Sequence, residues 1–279
     1  MLSKLIPKAL KRRFTDRVRF IARGAQQDLY LESNRNQQSY AVVLSPDNSH
    51  QQVRAEELLL GYGDSENDYL SGGKRDCLAM TDILTTCGAD VETWSRILEF
   101  GCGGGRMIRH LPELTPAELW GVDIDAGKIR WCMDHLAPRI HFATTTTVAH
   151  LPFEDRYFDM IFSGSVFTHI EDTQEAWLLE LARLLRPNGW LYLTIHDENT
   201  VSMLENERRD HWLAQMLSTD EVYQANKSNF SRIIIGRGAR SQVFYESNYF
   251  RSLVPPMMKW IALVPKAYGY QSAVLLQRQ

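Results

Sequence analysis

The chain has 279 residues, is 44% hydrophobic and carries only 17 Gly and 10 Pro, which excludes a chain dominated by disorder and makes one α/β domain with additions the expected organisation. A net charge of −3 offers no global field for nucleic acid. Cys77, Cys87, Cys102 and Cys132 form no CxxC pair, so no metal site is expected and they read as reduced thiols of a cytoplasmic protein. No 18-residue apolar run exists to cross a membrane, and there is no secretory h-region.

Residues 1–25 hold eight basic side chains (Lys4, Lys8, Lys11, Arg12, Arg13, Arg17, Arg19 and Arg23) against Asp16, giving this stretch +7 and the remainder −10. Leu2, Ile6, Leu10, Phe14, Val18, Ile21 and Ala25 recur at helical steps, so an amphipathic helix with a cationic face is expected. It suits a peripheral membrane contact, a mitochondrial presequence or a helix packed on the domain. Residues 26–52 are rich in Gln, Asn and Ser and read as a linker. Residues 1–52 are therefore an arm and linker, and 53–279 the domain. A short helix is expected over 54–61, then Tyr62 and Tyr69 precede a helix over 76–87.

Residues 96–110, RILEFGCGGGRMIRH, run from a buried parallel strand through an acidic residue and a glycine cluster into a helix expected at 107–111. A dinucleotide fingerprint would need glycine where Arg106 stands, and no GK[ST] follows. Glu99 sits two residues before the first glycine, placed to meet a cationic amino group. A second apolar run, ELWGVDID, ends in Asp123, where a carboxylate at a strand tip accepts both hydroxyls of a ribose. Helix 127–136, strand 140–143, strand 158–163, helix 173–185 and strand 190–196 continue the alternation, which gives a parallel sheet. A capping box over 172–175 is expected to open the fourth of these elements, and Pro187 to Gly189 to close it. A helical pattern over 201–217 follows, with Trp212, Tyr223, Phe230, Phe244 and Tyr245 available to a core or a pocket. Short apolar runs over 259–264 and 273–276 read as a closing antiparallel hairpin.

With LPFEDRYFDMIFSGSVFTHIED and LARLLRPNGWLYLT following the glycine turn and Asp123, most of 96–279 resembles the class I S-adenosylmethionine-dependent methyltransferases. The resemblance implies a Rossmann-like, seven-stranded, mostly parallel sheet with a terminal antiparallel hairpin, N-terminal helices and a lid insertion over about 199–249. The hairpin separates this reading from an NAD-dependent enzyme. S-adenosylmethionine is the implied cofactor. Glu99, Gly101, Gly103 and Gly105 would surround its methionine part, with Cys102 a small packed residue of the same turn. Asp123, followed by Ile124, would hold the ribose, and Ser163 with Gly164 would line the floor. Tyr69 would close the methionine side or pack in the core. The family often has Asp shortly before its LPF; here Thr147 stands instead, and adenine would be met by Thr147 or by the backbone at Val148.

His196 and His169 follow the fifth and fourth strands, where open α/β sheets bind ligands, and either is a candidate general base, His196 the first choice. The expected reaction is methyl transfer to oxygen or nitrogen on a small molecule or glycan. A noncatalytic cofactor-binding scaffold is the alternative from another class.

Overall fold

A computed structural model describes residues 65–136, 138–236 and 241–279. The expected basic arm, the linker, the short helix over 54–61 and Tyr62 lie outside the described residues.

The first described helix, α1 (Glu66–Thr86), leads into β1 (Arg96–Phe100), β2 (Glu118–Asp123), α2 (Ala126–His135), β3 (Ile140–Thr144) and β4 (Phe158–Ser163). Helix α3 (Gln174–Leu184) and β5 (Leu185–Ile195) follow. Then come α4 (Glu198–Asn206), α5 (Trp212–Thr219), α6 (Glu221–Asn226), β6 (Arg232–Ile235), β7 (Gln242–Tyr245) and α7 (Ser247–Ser252), before β8 (Met258–Tyr268) and β9 (Gln271–Arg278).

Seven strands form one sheet in the order β3-β2-β1-β4-β5-β9-β8, while β6 and β7 pair separately. Strands β1 to β5 are parallel, and β9 lies antiparallel between β5 and β8. The expected sheet and hairpin are both present. Ile97, Leu98, Phe100, Met160, Ile161, Phe162, Leu191 and Leu193 are buried, as strands covered by helices on both faces require. Leu98, Ile161, Leu191 and Val274 join Leu178 and Leu181 of α3 in the main core. Chain order reverses between β1 and β4, and the crevice above such a reversal, at the carboxyl ends of the strands, is where open α/β sheets take ligands.

Several elements differ from expectation for local reasons. Helix α1 begins ten residues before the expected start. The Ser65 hydroxyl caps it by accepting from the Asp68 N–H at 3.2 Å, and the helix continues through Gly72 and Gly73, each of which costs about 1 kcal/mol against alanine. Close packing explains their use, because a Cβ on Gly73 would lie 2.2 Å from the Arg106 carbonyl oxygen. The helix expected over 107–111 is a short 3-10 stretch, Ile108–Glu113, with Pro112 inside it. Proline has no N–H for an α-helical bond to Ile108, so a longer α-helix cannot propagate there.

The capping box over 172–175 does not form. Thr173 is the N-cap of α3 without a side-chain bond, and the Asp172 carboxylate lies 3.7 Å from Arg232. Strand β5 reaches back through Pro187 to Gly189, absorbing Asn188 at φ +64 and a register shift against β4. The helical pattern over 201–217 divides into α4 and α5, capped by Asp197 and His211. Strands β8 and β9 are longer than expected and meet at Gly269 and Tyr270, with Gly269 at φ +63.

Candidate functional site

At the end of β1 the chain turns under its neighbours. The N–H groups of Gly101 and Cys102 both donate to the Val122 carbonyl of β2, at 2.8 and 3.0 Å. Gly101, Gly103 and Gly105 have φ of +80, +53 and +72, the left-handed region that side chains resist. Gly101 and Gly105 are also hemmed in, since added Cβ atoms would stand 2.1 Å from Val166 and 2.5 Å from Leu136. Gly103 faces open space, with nothing within 4 Å of where a Cβ would sit. That opening leaves room for a ligand to lie against the backbone.

Two carboxyl groups flank the opening. Asp123, half-buried, accepts from the Gly103 N–H at 2.7 Å and from the Asp125 N–H at 2.8 Å. A carboxylate has about four lone-pair positions, so these two bonds fix its plane and leave acceptor capacity for a pair of hydroxyls. Burial raises its pKa, opposed by the same two N–H groups. Glu99 is buried and accepts from the Ile108 N–H at 3.0 Å; burial pushes its carboxyl up to about 8. Ile124 lies half-buried beside Asp123, and Asp125 caps α2 by accepting from Gly127 and Lys128.

Cys102 is buried under the turn, and burial raises its thiol pKa, so it is no thiolate nucleophile. Ser163 is fully buried, and its hydroxyl finds no hydrogen-bond partner among the described residues. Gly164 packs against the Tyr268 ring, 3.2 Å from a would-be Cβ. Tyr69 is buried on α1, with the Arg109 guanidinium 5.7 Å from its ring centre and 5.4 Å from that of Trp131. Thr147 and Val148 are exposed. Their loop leaves β3 beside Asp123, whose carbonyl accepts from Thr145 at 2.9 Å, and the Val148 N–H donates to the Thr146 hydroxyl.

The two histidines have opposite environments. His169 is exposed in the loop after β4, with its Nδ1 2.8 Å from the Ser241 carbonyl. A carbonyl only accepts, so Nδ1 carries the proton and Nε2 keeps the lone pair. Partial desolvation lowers its pKa despite that bond. The loop is clamped by β7, because Val243 donates to the Thr168 carbonyl and the Tyr245 hydroxyl to those of Phe167 and Ile170. His196, by contrast, is 1% exposed, and neither ring nitrogen makes a hydrogen bond of ordinary geometry among the described residues. It lies between Phe244 and Tyr270, at ring distances of 4.8 and 5.6 Å. Burial, then His169 and His211, push its pKa down to about 3 against a weak contact from the Val243 backbone.

Two groups of residues around the crevice were not singled out by sequence. Arg106, buried where a dinucleotide turn would carry glycine, donates to Asp76 of α1 at 2.7 Å and to the Tyr268 hydroxyl of β8 at 3.0 Å. Ser165 sits after β4 at φ +60, its N–H donating to the Thr194 hydroxyl at 2.7 Å and its own oxygen accepting from Gln271 at 2.8 Å. The Arg106 substitution was a visible signal in the glycine turn. The Ser165 network links residues too distant in sequence to be read together.

Residues 98–193 match the methyltransferase domain family. The fold is shared with an S-adenosylmethionine-dependent methyltransferase of Clostridium acetobutylicum, at TM-score 0.52 and 11% identity, and with a Pyrococcus horikoshii protein at 0.53 and 16%. Each pairing covers 74% of this chain and 91% of the other.

Residues 98–193 of the chain are thus a methyltransferase domain, on the fold that S-adenosylmethionine-dependent methyltransferases share.

The chain is 29% identical over 150 residues to phthiotriol/phenolphthiotriol dimycocerosates methyltransferase 1 of Mycobacterium ulcerans, covering 51% of this chain and 55% of that protein. It is 33% identical over 112 residues to a fatty-acid O-methyltransferase of Mycolicibacterium smegmatis, covering 39% and 40%. The match thus spans about half or less of these relatives. The family's cofactor, S-adenosylmethionine, suits the groups present: an open glycine turn, a fixed carboxylate for a diol, a buried carboxyl and an unpartnered hydroxyl on Ser163.

Proposed function

We propose that this methyltransferase transfers the methyl group of S-adenosylmethionine to a hydroxyl oxygen of an apolar, lipid-like small molecule, with His169 as general base. The bound cofactor supplies a methyl on a sulfonium whose departing thioether is already a good leaving group. The protein's part is alignment, exclusion of water and removal of the hydroxyl proton. Glu99, Gly101, Cys102, Gly103 and Gly105 would hold the methionine end beside Tyr69. Asp123 and Ile124 would hold the ribose, Thr147 or the Val148 backbone the adenine, and Ser163 with Gly164 the floor.

The observation that carries the base assignment is the His169 ring, anchored through Nδ1 to the Ser241 carbonyl, which leaves the Nε2 lone pair as its basic site. Its loop touches the cofactor turn directly, through Val166 against Gly101. A lowered pKa keeps that imidazole neutral, hence basic, at ordinary pH. His196 suits the role less well. Its nitrogens are enclosed by aromatic rings, and a group with pKa about 3 is a weak proton acceptor.

The apolar acceptor is supported by the substrates for which two relatives are named. The segment between β5 and α7, which we assign as the acceptor lid, has its own core of Leu204, Leu213, Leu217, Tyr223, Ile233 and Phe244. Two relatives are named for dimycocerosates and for fatty acids. The cationic arm over 1–25 would bring the protein to the anionic membrane surface where such acceptors partition.

The test is transfer of isotope-labelled methyl from S-adenosylmethionine to three acceptor sets: hydroxylated fatty acids, oligosaccharides and primary amines. The expected outcome is an O-methyl ether in the first set, located by mass spectrometry. Label confined to the amines or oligosaccharides would overturn the acceptor assignment.

A further inference from the structure

The tip of the β8–β9 hairpin lies beside the carboxyl end of β5 and touches the segments around the crevice one after another. Tyr268 stands against Gly164 and accepts from Arg106. The Tyr270 ring is 5.6 Å from that of His196, and its carbonyl accepts from the Thr200 hydroxyl at 2.8 Å. Ser272 donates to Asp197, the cap of α4, at 2.8 Å. Gln271, 3% exposed, closes a ring of hydrogen bonds on the loop after β4. The direction of that ring is fixed. The Ser165 backbone N–H can only donate, and it meets the Thr194 hydroxyl at 2.7 Å. Thr194 therefore directs its own proton to the Gln271 side-chain carbonyl, at 2.6 Å, which sets the orientation of the amide. The amide N–H is left to the Ser165 hydroxyl oxygen, at 2.8 Å. Thr194 is fully buried, so no water replaces a lost link.

Ser165 is the residue in need of such restraint, because its φ of +60 is a conformation that residues with a side chain resist. Released, it would return to negative φ and re-aim the chain that follows. That chain is short. Val166 packs on Gly101, the Val166 carbonyl accepts from the His169 N–H at 2.9 Å, and the His169 ring reaches the Ser241 carbonyl. Strand β7 holds the far end of the loop through Val243 and Tyr245, while the ring holds its near end, where the chain leaves Gly164. We infer that Gln271 is a positioning residue for methyl transfer: acting through Ser165, it sets the backbone of the loop that presents His169. This inference rests on the proposed base, His169.

The experiment is a double-mutant cycle of Gln271→Met and Ser165→Gly, because glycine takes a positive φ without the ring. Turnover is read with whichever of the three acceptor sets the wild type labels, affinity by S-adenosylhomocysteine titration, and the His169 ring by its nitrogen NMR shifts. Gln271→Met keeps the side-chain size and neither polar link. It should lower turnover about tenfold or more, the scale of a misaligned site, with affinity within about twofold of wild type. In the Ser165→Gly background the same change should cost less than about twofold. The wild-type ring should carry its proton on Nδ1, and Gln271→Met should show a mixture of tautomers. If Gln271→Met fails to fold, Thr194→Val, which cuts the ring at two links, takes its place in the cycle. An equal loss in both backgrounds, unchanged turnover, or unchanged ring shifts overturns the inference and leaves the base assignment standing. Full turnover in His169→Ala, with the cycle as expected, overturns the base assignment alone. A wild type that labels none of the acceptors overturns the proposed function, and the ring shifts then decide the inference.

Discussion

Gly101 and Val166 lie so close that a Cβ on Gly101 would stand 2.1 Å from Val166 Cγ2. The glycine turn after β1 and the loop after β4, which carries His169, are therefore one packed unit. Gly101→Ala should disturb both, because φ is +80 and the space is filled. The left-handed backbone costs about 1–2 kcal/mol and overpacking about 1–3 kcal/mol more. S-adenosylhomocysteine titration should show binding lost or severely weakened. Adding Val166→Ala to Gly101→Ala should recover part of it, by relieving the contact but not the backbone strain. An alanine variant that binds normally would show that turn and loop are not coupled.

Asp123 is fixed by the turn, one oxygen accepting from the Gly103 N–H and the other from the Asp125 N–H, and is the proposed ribose acceptor. Removing it leaves both N–H groups and the ribose hydroxyls short of an acceptor. Asp123→Ala should weaken S-adenosylhomocysteine by about 1–3 kcal/mol. Unchanged affinity in that titration would remove Asp123 from the ribose site.

Stability against pH should report the two buried titratable groups with opposite signs. The His196 pKa falls from the usual 6.5 to about 3, so its contribution is complete above 6.5 and is lost as pH drops toward 3. The Glu99 pKa rises from 4.5 to about 8, so its contribution is complete below 4.5 and is lost as pH climbs through 8. Between 4.5 and 6.5 the slopes oppose. His196→Phe, which keeps an aromatic ring between Phe244 and Tyr270, should remove the first slope and leave the second. The stability gap between variant and wild type should widen in the variant's favour by up to about 1.4 kcal/mol for each pH unit below 6.5. Urea midpoints for both proteins from pH 4 to 7 measure this, and a constant gap would mean that His196 titrates normally.

The sheet was legible because β1, β2, β4 and β5 are buried runs between turn residues, and the glycine turn and Asp123 because their contacts are local in the chain. Helix α1 was read too short, since Gly72 and Gly73 look like breakers until Arg106 is seen packed against them. Pro112 was visible, but its effect on the segment after the turn was outweighed by the apolar spacing of Met107, Ile108 and Leu111. His169 and His196 looked alike in sequence, both just past a strand. What separates them is the Ser241 carbonyl, 72 residues from His169, and the rings of Phe244 and Tyr270 around His196.

The most direct test of the account is the turnover of paired variants, His169→Ala and His196→Phe, in labelled methyl transfer to the hydroxylated acceptor, each with its affinity for S-adenosylhomocysteine. The account predicts that His169→Ala loses about a hundredfold or more in turnover with cofactor affinity nearly unchanged. Wild-type turnover should fall at acid pH, with a midpoint below the usual imidazole 6.5, and the His169→Ala residual rate should lack that limb. His196→Phe should stay close to wild type. Full turnover in His169→Ala, or its loss in His196→Phe with affinity and fold intact, would contradict the account.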